Sequence, residues 1–157
     1  MAKNSEVNLS LKQLKRWMHW ASTINMKKER LDLEYELRSN SPAIIWQLMS
    51  TASGLARWIA DDVQMDDQTV TLAWGNPLMH YDSRKLEILE CVKQSHLRMR
   101  WIDEDDSEAF LEMRMLKSDL TGDFMLHIID YALPEDIPLL HDIWDDNLER
   151  LHHSSGL

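Results

Sequence analysis

The chain has little of what holds small secreted proteins together, with one cysteine, Cys91, in 157 residues. A single thiol forms no internal disulfide, so the fold must rest on a hydrophobic core and the expected compartment is a reducing cytoplasm. Glycine and proline are scarce too, at four of each. That excludes collagen-like organisation and glycine-rich phosphate loops. No apolar run is long enough for a spanning helix or a secretory signal, so no integral membrane segment is expected. Positive charge is in deficit: 17 Lys and Arg stand against 27 Asp and Glu, for a net charge of −10. Affinity for phosphate backbones and anionic lipid comes mainly from Lys and Arg, which argues against nucleic-acid binding.

What is present is ordinary globular material. Apolar residues make up 44% of the chain and charged ones 28%, enough for one domain to bury a continuous core. The charge is unevenly placed. Residues 1–25 carry four basic residues against one acidic one, a net of +3, which leaves −13 for the remainder. This segment reads as a poorly ordered N-terminal extension, with Leu11, Leu14 and Met18 along one side of a short amphipathic helix and Met26 as an alternative start. The domain proper then spans 26–157.

From Leu31 the pattern becomes strict alternation, with Leu31, Leu33, Tyr35 and Leu37 against Asp32, Glu34 and Glu36, the signature of a strand with one wet face. "SPAIIWQLMSTASGLARWIADDV" follows, in which Ser41 is a good N-cap and Pro42 suits the first helical position. A first short helix is expected there, and Thr51 or Ser53 caps a second, "GLARWIA", ending near Asp61. Short alternating strands come next: "QTVTLAW", "RKLEILECV", "SHLRMRWI", "EAFLEMRML" and "FMLHIIDY", with "LTGDF" as a tight turn. The chain closes on a helix that begins between Pro134 and Pro138, its apolar stripe formed by Ile137, Leu140, Trp144, Leu148 and Leu151. The order is one strand, two short helices, about six antiparallel strands and one long helix. That is an α+β arrangement in which a curved sheet grips a single helix, with a cavity expected between them.

This order, together with the Ser-Pro start, the tryptophan of the first helix and the Gly-Leu-x-x-Trp of the second, resembles the helix-grip superfamily of START-like or SRPBCC domains. Within it, the chain is similar to relatives of the activator of the heat-shock protein 90 ATPase. "LEYEL", "ARWIADDV", "RWIDEDD", "LTGDF" and "IWDDNLERL" resemble a small bacterial START-like family more closely still. The resemblance runs from about Met26 to His152 and implies a ligand cavity or a protein-docking surface. It supplies no catalytic motif.

Trp74, Met99, Trp101, Met113, Met115 and Trp144 would line the space between sheet and helix if the strand parities hold. Flexible, polarizable methionines suit a variable hydrophobic ligand, although a plain core uses the same residues. Trp46 and Trp58 flank the helix pair and either roof a pocket or pin the helices to the sheet. Asp103, Glu104, Asp105 and Asp106 form an acidic run. It lacks the glycine and spaced ligands of a calcium loop and reads as a solvated turn or a docking surface for a basic protein. His127 and Asp130 stand three apart in a strand, so their side chains leave opposite faces and make a poor acid-base pair. His141, His152 and His153 lack zinc spacing, and neither a metal nor a cofactor is expected. The first functional expectation is a non-enzymatic domain binding a small hydrophobic molecule. The alternative is a protein-interaction module resembling the chaperone-ATPase activators, and a cyclase- or hydrolase-like enzyme comes last.

Overall fold

The computed structural model describes residues 10, 11, 27–76 and 78–157. Apart from Ser10 and Leu11, the expectations for residues 1–25 lie outside the described residues. Seven strands form one antiparallel sheet in the order β1-β7-β6-β5-β4-β3-β2. They are β1 (Glu29–Glu36), β2 (Asp62–Met65), β3 (Thr69–Asn76), β4 (His80–Val92), β5 (His96–Trp101), β6 (Leu111–Lys117) and β7 (Phe124–Ala132). Two short helices, α1 (Pro42–Ser50) and α2 (Ala52–Leu55), follow β1. A 3-10 turn, Pro134–Asp136, leads into the long helix α3 (Ile137–Ser155). The α+β architecture expected from the pattern is the one found.

The period-two alternation sorts the sheet into two faces. Leu33, Ile128, Met113 and Leu97 pair in one row across β1, β7, β6 and β5, and all four are buried on the inner face. The neighbouring row on the outer face runs Asp32, Ile129, Glu112, Arg98 and Glu90. Helix α3 crosses the inner face beside β1 and β7 and buries Trp144, Leu148 and Leu151 there. Four of the five expected stripe residues join the core, Leu140 from its margin, while Ile137 at the helix start is half-buried. The left-handed Gly156 closes the helix, its amide donating to the carbonyl of His152 at 2.9 Å.

Several boundaries differ from the sequence expectation, among them β4, which begins at His80 and not at Arg84. The second helix is shorter than "GLARWIA": regular helix ends at Leu55, and residues 56–59 continue as turns, with the amide of Arg57 reaching Gly54 and that of Trp58 reaching Leu55. The tighter turns put Trp58, Ile59 and Ala60 in the core before β2 begins. Strand β2 itself, only four residues long, was not legible as a strand. Finally, β6 starts at Leu111 rather than at Glu108, because the preceding residues belong to a bonded loop described below.

The helix pair is held by its two caps and one glycine. The hydroxyl of Thr51 accepts from the amide of Gly54 at 3.0 Å and donates to the carbonyl of Gln47 at 2.7 Å. A Cβ on Gly54 would lie 2.1 Å from the carbonyl oxygen of Gln47 and 2.7 Å from the Cα of Leu48. Only glycine lets α2 fold back this tightly on α1.

Candidate functional site

The space between sheet and helix is the first place to look, and it is occupied by side chains. Of the six residues expected to line it, Met99, Met113, Met115 and Trp144 lie in the core at 1%, 0%, 6% and 3% exposure. Trp74 and Trp101 pack against that core from its half-buried margin. The six thus share one face of the sheet and one apolar cluster, as the alternation required. Trp58 is fully buried, its ring 6.1 Å from that of Trp144 at a tilt of 58°. Both indoles are anchored. Trp58 Nε1 donates to the carbonyl of Leu48 at 2.9 Å and Trp144 Nε1 to Asp130 Oδ2 at 2.9 Å. Trp74 Nε1 donates to the carbonyl of Ile59 at 3.1 Å.

The acids and histidines divide between the two faces. Asp130 lies on the inner face, where it meets Trp144 and takes the amide of Tyr131 at 2.8 Å. His127 is on the outer face, its Nε2 3.0 Å from Asp32 Oδ1. Asp32 sits below the ordinary carboxylate range, held there chiefly by its bonds from Arg30 and in part by His127. His127 and Asp130 are separated by the sheet, so they do not form an acid-base pair. Beside them the outer face buries Glu112, which accepts from Arg98 at 2.8 and 3.0 Å and from Arg114 at 3.3 and 3.4 Å. Burial alone would raise the Glu112 carboxyl, but Arg114 and Arg98 outweigh it and bring it below the usual range.

The acidic run is a structured loop rather than a loose solvated turn. Glu104 has a side chain only 4% exposed and takes Lys28 Nζ at 2.6 Å. Its other oxygen accepts from the amide of Asp106 at 3.1 Å. Asp103 meets Arg84 at 3.1 Å, and Arg84 in turn stacks over the ring of Trp101 at 3.9 Å. Arg100 donates to the carbonyls of Asp106 and Ser107. Of the four residues, Glu104 therefore faces inward as an anchor, whereas Asp103 and Asp105 are exposed and Asp106 is half-buried. The tie to Lys28 spans 76 positions, and no local pattern signalled it.

Sequence reasoning also missed an open groove of about 320 Å³ between α1, α2 and the end of α3. Ile44, Gln47, Leu48, Ser53, Arg57 and Ser155 line it. Arg57 Nη2 donates to the carbonyl of Ser154, a contact across 97 positions that no spacing rule anticipates. On α3, His141 Nδ1 lies 3.1 Å from Asp145 Oδ2, and Asp145 Oδ1 accepts the hydroxyl of Tyr35 at 2.8 Å. Burial first, and Asp145 second, raise the Tyr35 phenol so that it stays a donor. Among the described residues no helix is long and apolar enough to cross a membrane.

The comparisons with known proteins agree with this geometry. No curated protein matches the chain. A protein of Bacteroides fragilis, solved by NMR, is 36% identical over 82% of this chain and 91% of its own, with a TM-score of 0.55. The Aha1 dimer from Colwellia psychrerythraea is 12% identical, covering 82% of this chain and 98% of that one at a TM-score of 0.60. An AHSA1-like protein from Aeromonas hydrophila is 9% identical, covering 80% and 93% at 0.62. At such low identity the last two show the fold alone. The START-like superfamily domain matches residues 25–157, and with the 36% identical relative this shows that the chain belongs to the START-like superfamily.

Proposed function

We propose that this START-like domain is a protein-docking module whose interior is structural. The observation that supports this is the packing of the inner face: Met99 and Met113, central among the expected cavity-lining residues, keep almost no accessible surface. A carrier needs room against such residues, whereas a docking domain needs a rigid body and a displayed surface. The acidic loop suits the display. Arg100 holds its backbone carbonyls, Lys28 holds the Glu104 carboxylate, and Asp103 and Asp105 face outward, on a chain whose residues beyond 25 carry −13 of charge. A basic partner surface is the complement, and its binding weakens with salt.

Native mass spectrometry of the protein purified from its own host tests this reading. The polypeptide mass alone is expected, and a stoichiometric apolar molecule would overturn the docking reading in favour of a carrier. Met113→Trp gives a second test. In a filled core the larger ring costs about 1–3 kcal/mol by overpacking. An unchanged denaturation midpoint would reveal the cavity that the docking reading excludes.

A further inference from the structure

We propose that the groove between α1, α2 and the end of α3 binds a small amphipathic monocarboxylate, its apolar body over Ile44 and Leu48 and its carboxylate on Arg57. The site is separate from the docking reading and stands on its own observations. Its floor is apolar: Leu48 is buried, while Ile44 is 53% exposed although Ile45, Leu48 and Met49 of the same helix are all buried. Its shape is fixed by the close approach that Gly54 permits.

Its charge comes from one guanidinium that has no carboxylate partner among the described residues. In a chain with 27 acidic residues, Arg30, Arg84, Arg98, Arg114 and Arg150 each lie within ion-pair distance of a carboxylate. Arg38, Arg57 and Arg100 meet none among the described residues, and of the three Arg57 is the one that lines the groove, bonded to the main-chain carbonyl of Ser154 at 3.1 Å. That bond uses one of five guanidinium N–H donors and holds the group in place. A positioned guanidinium without a counter-ion matches the planar fork of a carboxylate. Among the described residues no other cation lines the groove, which favours a monoanion over a phosphate. The groove has a volume of about 320 Å³. That is room enough for an arylacetate or a short branched fatty acid.

The test is an amide-resolved NMR titration of the full chain with sodium phenylacetate, and with phenylacetamide as its uncharged match. Phenylacetate is expected to shift Ile44, Gln47, Ser53 and Arg57 and to saturate on the order of 1 mM, with phenylacetamide about tenfold weaker. Arg57→Gln, at an exposed position, should bring the two compounds to equal affinity, and Arg57→Lys should restore part of the preference. Ile44→Ser should weaken both compounds alike. Equal binding of the two compounds by the unaltered chain would overturn the proposal. Shifts centred outside the groove, or a preference that survives Arg57→Gln, would do so as well.

Discussion

Each face of the sheet buries one carboxylate, and the two faces stabilise it by different chemistry. On the inner face Asp130, 9% exposed, takes the indole N–H of Trp144 and a backbone amide. On the outer face Glu112, 2% exposed, takes two guanidinium groups. The indole brings a donor without a charge and fills apolar volume as it does so, which suits a layer of Leu, Ile and Met. The two arginine side chains are themselves about one-third exposed, so the charge pairing still reaches water. A sheet with one wet face can therefore hide an acid on either side, provided the donor matches the layer it sits in.

Removing the inner donor should produce the largest effect. Trp144→Ala opens a cavity beside Trp58 and leaves Asp130 Oδ2 without its indole, at a cost of about 3–5 kcal/mol in urea unfolding. Trp144→Phe keeps most of the volume and should still cost about 2 kcal/mol, because the buried acceptor loses its donor. If the Phe variant matched the original protein, the bond would be incidental to the packing. Next comes Lys28→Met, which strands the buried Glu104 and should cost about 3 kcal/mol. Adding Glu104→Gln should recover most of that loss. A double variant as unstable as the single one would show that Lys28 acts through its stem and not its charge.

The outer face should respond less, and in a pH-dependent way. Glu112→Gln is expected to cost about 2 kcal/mol at neutral pH. The carboxyl is depressed on folding, burial being outweighed by Arg114 and Arg98, so it contributes stability above its unfolded value of about 4.3. That contribution is lost as pH falls through the lower folded value. The unfolding free energy of the original chain should therefore fall more steeply below about pH 5 than that of Glu112→Gln. Parallel acid limbs would mean that the guanidinium contacts leave Glu112 unperturbed, and the contrast between the faces would collapse.

Much of this was legible in the sequence wherever one element determines the outcome. Alternation assigned Leu33 and Met113 to the inner face, and the three-and-four spacing of Trp144, Leu148 and Leu151 gave the helix stripe. The separation of His127 from Asp130 followed from strand parity alone. Alternation could not tell that Glu112, a charged residue on the wet face, would be among the most buried in the chain, since that depends on arginines from β5 and β6. Nor could it tell core from cavity, because both present the same apolar residues to the same face. The contacts of Lys28 with Glu104 and of Arg57 with Ser154 join segments 76 and 97 positions apart. A local pattern carries no trace of such pairings.

The smallest effects should come from the two caps, and they differ for a geometric reason. Thr51 accepts the amide of Gly54 at 3.0 Å and also donates to Gln47, tying α2 to α1, so Thr51→Ala should cost about 1 kcal/mol while Thr51→Ser costs little. Ser41 accepts the amide of Ile44 at 3.5 Å, the long limit for such a bond, and Pro42 already presets the first turn. Ser41→Ala should therefore cost no more than a few tenths of a kcal/mol. Calorimetry of the two alanine variants separates them. Equal losses would mean that the Thr51 bond to Gln47 contributes nothing beyond ordinary capping, and that Gly54 packing alone sets the angle between the helices that floor the groove.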